Sequence, residues 1–394
     1  MSRRLFGYVR GLSYESRMLV VLALGWATLQ CGRFLLPPLL PRITEVLKFS
    51  PAGIGAALTA FGLIYAVTQY PSGTYSDSLS RATIILPGFV VLLVGFVVLG
   101  FAVSKLIFVV ALAVLGVGKG LYASPSRALL GDLFTARRGR AFGIYTAGTD
   151  VGGLIGAGIA VFVLATTTWR AAYIPVVAVL GAVILLYVFW NREGYELSRV
   201  SLSPGETAGR IVATREQRET LVAFSVFYFF VGGLTNFFPT LLVAGGLSET
   251  AAGASFALLF GTGMLTKPTA GEVSDRFPRL LVGTAGLVLA IFGVVLILVA
   301  PSLTVVAVGT VLTAVGYKTQ FPIADTVVME AAPDSQTGGD LGASRAVFLT
   351  ANALGPGVVG IIAEFTDFQT AFWVLAGSLL VSVVLLGRQY LREG

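Results

Sequence analysis

Apolar and polar positions alternate along this chain on the scale of a membrane, not of a soluble core. Uninterrupted apolar stretches run over 18–40, 51–76, 82–103, 106–130, 139–165 and 170–190, and six more over 220–244, 250–272, 279–299, 303–328, 340–364 and 369–387. A helix of about 20 such residues crosses a bilayer core of about 30 Å. The pattern therefore predicts an all-α integral membrane protein with twelve transmembrane helices. One long polar segment interrupts it, residues 191–219, where Arg192, Arg199, Arg210, Arg215 and Arg218 are balanced by Glu193, Glu196, Glu206, Glu216 and Glu219. It reads as a cytoplasmic linker between an N-terminal six-helix bundle, 1–190, and a C-terminal one, 220–394.

The two halves repeat. Residues 69–81 end an apolar stretch with Gly73, Asp77 and Arg81, and residues 267–279 do so with Gly271, Asp275, Arg276 and Arg279, at an offset of 198 residues. Ser50 with Gly55 and Ala56 matches Ser248 with Gly253 and Ala254 at the same offset, and Trp169-Arg170-Ala171-Ala172-Tyr173 parallels Phe368-Gln369-Thr370-Ala371-Phe372. Six is even, so both copies enter the membrane from the same side and are parallel repeats about an axis along its normal.

Composition narrows the chemistry. With 56% hydrophobic and 12% charged residues, the chain is far more apolar than a soluble domain of its length. Its one cysteine, Cys31, excludes an intrachain disulfide and a cysteine-based metal cluster, and the absence of histidine excludes a Ser-His-Asp triad, a histidine-ligated metal and a histidine proton relay. No cofactor is expected. The basic pI of about 9.6 is explained by topology and not by nucleic-acid binding. Seventeen Lys and Arg residues fall on the side of the termini and linker, against Arg42, Lys48, Lys105 and Arg170 on the other. Positive charge is retained on the cytoplasmic side, which places both termini there in a multi-pass protein of the cytoplasmic membrane. A cleaved signal peptide is not expected, because the first apolar span is too long and runs into Pro37, Pro38 and Pro41.

These features together resemble the major facilitator superfamily, over essentially the whole chain. The family's signature between spans two and three, Gly-x-x-x-Asp-Arg-x-Gly-Arg, is matched by Gly73, Asp77 and Arg81, with Ser78 and Ser80 in place of Arg and Gly; the second copy is closer, with Pro278 in the Gly position. Gly116, Gly118, Gly120 and Pro125 are similar to the family's fourth span, and Asp132 with Arg137, Arg138 and Arg140 to its loop into span five. Gly148-Thr149-Asp150-Val151-Gly152-Gly153 matches only part of the Gly-Pro-x-x-Gly-Gly signature of drug exporters, and the missing proline argues against drug efflux. The resemblance implies a twelve-helix, two-bundle secondary transporter working by alternating access. It also implies a hinge at the two signature turns, where Arg81 pairs with Asp132 or Arg279 with Glu330.

Charges inside the spans give the candidate chemistry. Each costs at least about 2.5 kcal/mol to insert, so it faces a partner or a wet cavity. Six cations, Arg33, Lys119, Arg127, Lys267, Lys318 and Arg345, stand against two acids, Asp150 and Asp325. A surplus of enclosed cations suits an anionic small-molecule substrate. Lys119 and Lys318 occupy nearly equivalent positions of the two repeats and are either paired substrate clamps or satisfied by carbonyls or an acid within their own halves. Arg33 contacts substrate or snorkels outward. Arg127 and Asp325, equivalent in position and opposite in charge, form an inner gate across the halves, or else Arg127 pairs with Asp150 and Asp325 with Arg345. Lys267 lines the inner cavity or supports the hinge. Asp150 is the candidate for proton coupling, with a structural ion pair as the other reading. Gln30, Tyr122, Asn236, Tyr317 and Asn352 complete the expected site. The expected protein is a monomer in the lipid bilayer, not an enzyme, that transports a small organic or inorganic anion, with protons as a coupling ion. Efflux of hydrophobic compounds and a transport-inactive sensor with the same fold are the alternatives.

Overall fold

The computed structural model describes residues 13–135, 137–195, 214–299, 302–330 and 337–393. Among these residues there are twelve α-helices and no strand. In the first half they are α1 Tyr14–Leu47, α2 Pro51–Ser78, α3 Arg81–Gly100, α4 Lys105–Leu133, α5 Arg138–Thr166 and α6 Tyr173–Trp190. In the second they are α7 Arg215–Ala244, α8 Glu249–Arg276, α9 Arg279–Val299, α10 Leu303–Glu330, α11 Thr337–Phe365 and α12 Phe368–Glu393. A turn of 3-10 helix, Trp169–Ala172, leads into α6. Ten helices are long and apolar enough to cross a membrane. The two outside that set, α8 and α10, carry Lys267 and Lys318.

Short loops leave each helix to satisfy its own first N–H groups. Ser50, Ser80, Ser104 and Ser248 do this by accepting from the amides of Gly53, Thr83, Ile107 and Ala251. Thr214 and Gln217 form a reciprocal capping box at α7. That cap starts α7 at Arg215, so the last residues of the polar stretch read as linker are helical; residues 196–213 of it lie outside the described residues. Helix α1 is likewise longer than its apolar window of 18–40, running from a Ser13 cap through Pro37, Pro38 and Pro41 to a left-handed Lys48. Hydropathy marks the membrane thickness, whereas caps mark the helix, and the Arg42–Glu45 pair keeps the last polar turn helical.

The halves are built alike. Helix α1 packs on α5, and α4 on both α2 and α3, just as α7 packs on α11, and α10 on both α8 and α9. Between halves, α2 lies against α11 and α5 against α8. The α2–α11 crossing is close because glycine lines it: a Cβ on Gly55 would strike the Pro356 carbonyl and Gly360, and one on Gly62 would strike Ala353. The Ala52 N–H donates to Glu364 Oε2 across it at 3.1 Å. These contacts lie at the start of α2 and the end of α11, the ends remote from the termini, and they shut the bundle there.

At the opposite face, Arg81 bridges two acids. Its guanidinium bonds Asp77 on α2, and its Nε donates to Asp132 at the end of α4 at 2.9 Å. The signature turn thus ties α2, α3 and α4 within one half. In the second copy Asp275 and Arg276 are exposed, and Glu330 lies outside the described side chains.

Two outcomes test this architecture. In a Cys31→Ser background, a cysteine at Ser78 should react with a membrane-impermeant maleimide from the cytoplasmic side; labelling only from outside would reverse the orientation. Gly55→Leu should overpack the α2–α11 crossing by about 1–3 kcal/mol. A cysteine at Leu58 should then become reactive from the far side of the membrane, where it is protected without that substitution.

Candidate functional site

A cavity of about 410 Å³ lies between the halves at the middle of the bundle. That is the size of a small-molecule site. Its walls bring together Arg33 from α1, Lys119 and Arg127 from α4, Lys267 from α8, Lys318 from α10 and Arg345 from α11. Nearly all the charges the sequence places inside the membrane therefore converge on one space.

The two mid-membrane lysines are satisfied in different ways. Lys318 is 3% exposed and donates to Asp150 Oδ1 at 2.6 Å, while Lys267 donates to Asp150 Oδ2 at 2.5 Å. Asp150 is on α5 and both lysines are on the other half, so this clasp is a bond between halves. One acid facing two ammonium groups leaves a local excess of one positive charge. Small residues make room for it, since a Cβ on Gly263 would meet both Lys318 and Asp150. Lys119 is 4% exposed, and among the described residues no carboxylate lies within ion-pair distance of it. Its ammonium instead faces the rings of Tyr65 at 4.0 Å and Phe61 at 5.6 Å, an attraction to π-electron density that leaves the charge uncancelled.

The guanidinium groups also rest on rings. Arg33 lies 4.6 Å from the Phe34 ring centre, and Arg127 lies 5.4 Å from Trp26 and 5.9 Å from Tyr145. Trp26 is fixed in turn by an Nε1–H bond to the Thr149 hydroxyl at 2.9 Å. Several buried polar atoms in the lining have no partner among the described residues: Gln30 Oε1, Gln69 Nε2, Arg127 Nε and the Tyr317 hydroxyl. Asn236 and Asn352 line the cavity too, their amides donating to the carbonyls of Gly232 and Tyr228.

One residue named from sequence faces elsewhere. Tyr122 is fully buried outside the cavity, its hydroxyl donating to the Leu22 carbonyl and its ring packed on Phe89. Gln320 donates to the Gly283 carbonyl, joining α10 to α9. Asp150 makes no ion pair with Arg127 among the described residues and takes both partners from the other half. The Asp325 side chain lies outside the described residues, and with it the Arg127–Asp325 gate. Arg345 lines the cavity and has an interaction of its own. Sequence reasoning missed the aromatic lining, notably Phe61, Phe260, Phe321 and Phe348. Phe321 was detectable, because it follows Lys318 by three residues and so shares its helix face. Phe348 carries no comparable signal.

The family model of the Major Facilitator Superfamily matches residues 22–260 and 220–393. The hexuronate transporter of Bacillus subtilis is 23% identical over 392 residues, covering 89% of each chain. The probable sulfoacetate transporter SauU of Cupriavidus necator is 31% identical over 154 residues, 39% of this chain and 36% of that one. A probable 4-methylmuconolactone transporter of Cupriavidus pinatubonensis is 25% identical, over 51% of this chain and 48% of its own length. Among solved structures, a bacterial homolog of the human lysosomal transporter Spinster superposes with a TM-score of 0.81 at 18% identity, covering 95% of this chain and 97% of that one. The nucleoside transporter NupG gives 0.78 at 12% identity, over 95% and 99%. The chain belongs to the Major Facilitator Superfamily.

The clasp has a measurable consequence. Asp150→Asn leaves two buried ammonium groups without their acid and should destabilise the protein by about 3–5 kcal/mol, as breaking a buried pair does. Adding Lys318→Gln should recover part of that loss. Melting temperatures of the three proteins in one detergent check both statements.

Proposed function

We propose that this superfamily member is a secondary transporter that carries a small organic anion across the cytoplasmic membrane by alternating access, with its termini in the cytoplasm. The observation that supports this reading is Lys119: a buried ammonium on the cavity wall, held by ring faces, with no acid within ion-pair distance among the described residues. A buried uncompensated charge is costly. An anion entering the cavity offsets that cost, with Arg33 and Arg127 adding to the field from the same half. Relatives named for sulfoacetate and hexuronate, both anions at neutral pH, agree with it.

Alternating access needs contacts that break and reform, and the clasp is placed for this. Closure at the α2–α11 crossing accompanies an intact bond from Asp150 to Lys267 and Lys318. When the halves rock the other way, α5 and α8 shift against each other and the clasp loosens. Asp150 is then released into a wetter space, where it can exchange a proton. Proton coupling would therefore act through the clasp, and substrate binding through Lys119.

Saturable counterflow of a radiolabelled organic anion in proteoliposomes tests the proposal. Lys119→Gln should weaken binding by about 1–3 kcal/mol, the worth of a charge-assisted hydrogen bond in a buried site. Selective transport of a hydrophobic cation, indifferent to that substitution, would overturn it.

A further inference from the structure

Hydrogen-bonding capacity is divided unequally between the two walls of the cavity. On the wall built by α7, α8, α10 and α11, Thr235, Asn236, Asn352, Lys267 and Lys318 each already hold a protein partner, although each Asn amide and Lys ammonium keeps a further N–H. The Thr235 hydroxyl donates to the Val231 carbonyl at 2.7 Å, and Asn236 and Asn352 donate their amides to Gly232 and Tyr228 carbonyls at 2.7 and 2.9 Å. Both lysines there are held by Asp150, and Arg345 has its own interaction. What this wall adds to the cavity is aromatic surface. Tyr228 and Phe348 stack at 5.1 Å with their planes 8° apart, and Phe321 meets Tyr228 edge-on at 5.8 Å. The unpartnered Tyr317 hydroxyl is the exception. The opposite wall keeps its donors: the Lys119 ammonium, Gln69 Nε2 and Arg127 Nε.

We infer that the substrate is an amphipathic acid, its carboxylate or sulfonate on the Lys119 wall and an apolar, ring-shaped body against Tyr228, Phe321 and Phe348. This rests on the anion-transport reading above and sharpens it. A polyhydroxylated acid would bury several hydroxyls against ring faces, which are weaker partners than water, and each unmatched hydroxyl loses its bonds to water. A ring in the same place buries apolar surface and stacks on the existing pair. The inference separates this chain from its relative named for hexuronate, a polyhydroxylated acid.

Isothermal titration of the purified full-length protein in detergent tests it with three probes: 3-phenylpropionate, glucuronate and the neutral 3-phenylpropanol. Phenylpropionate should bind at least about tenfold tighter than either of the others, from the ring in one comparison and the charge in the other. Phe348→Ala and Phe321→Ala should bring the phenylpropionate-to-glucuronate ratio close to one, while Lys119→Gln should weaken both acids. If Phe348→Ala does not fold, Phe348→Leu removes the ring and keeps most of the apolar volume, and the same ratio is read. Glucuronate binding as tightly as phenylpropionate, and lost in Lys119→Gln, overturns the amphipathic substrate and leaves anion transport standing. Phenylpropanol binding as tightly as phenylpropionate, unchanged in Lys119→Gln, overturns anion transport itself. Binding of none of the three overturns both.

Discussion

The cost of holding an ammonium group at membrane depth governs the centre of this protein. Water is excluded there, so each lysine needs an acid, a carbonyl or a ring face close by. Two solutions stand across the cavity from each other. Lys318, with Lys267, is paired with Asp150, and Lys119 is cushioned by Tyr65 and Phe61. The first is a strong bond that crosses the halves, the second a weaker attraction that leaves its charge available. A conformational bond and a ligand-seeking charge are thereby assigned to different lysines, although the repeat places them almost symmetrically.

Packing elsewhere serves this arrangement. The glycine-lined crossing of α2 and α11 lets the two halves meet backbone to backbone at one rim, and the tilted rings of Phe34 and Phe260, 4.4 Å apart, join α1 to α8. Interfaces of small residues close tightly without interlocking long side chains, so they can separate again without repacking a core. Arg81, by contrast, ties α2, α3 and α4 of one half through Asp77 and Asp132. Bonds inside a half make it move as a body, and the removable contacts lie between halves.

The architecture was legible from the sequence because its causes are local. Twelve apolar windows follow from what a bilayer tolerates, and each became a helix. The convergence of Arg33, Lys119, Lys267 and Lys318 on one cavity was also legible, since intramembrane charge has few other places to go. Which acid meets which cation was not. Asp150 and Arg127 share a half, and the rotation of α5 toward α8 decides that the carboxylate turns outward to Lys267 and Lys318. Tyr122 misled for the same reason: it is one turn from Lys119 on α4, yet it faces Leu22 inside the half. Helix rotation is set by tertiary packing, which a single sequence with low amphipathic contrast does not record.

The repeat itself explains why the cavity is two-faced. At the 198-residue offset Asp150 corresponds to Phe348, Lys119 to Tyr317, Gln69 to Lys267 and Gln30 to Tyr228. All eight except Asp150 line the cavity, and Asp150 anchors two that do. Duplication produced two equivalent scaffolds, and at each of these four pairs the two sides now differ in charge or polarity. A symmetric pair of cationic walls would repel itself across the gap and accept only an ion charged on both ends. Placing the acid on one side and aromatic rings at matching positions of the other removes that repulsion. It also sets the Lys119 charge opposite a wall whose lysines are paired with Asp150 and whose remaining surface is largely aromatic, so the same substitutions that allow the halves to close give the cavity a direction.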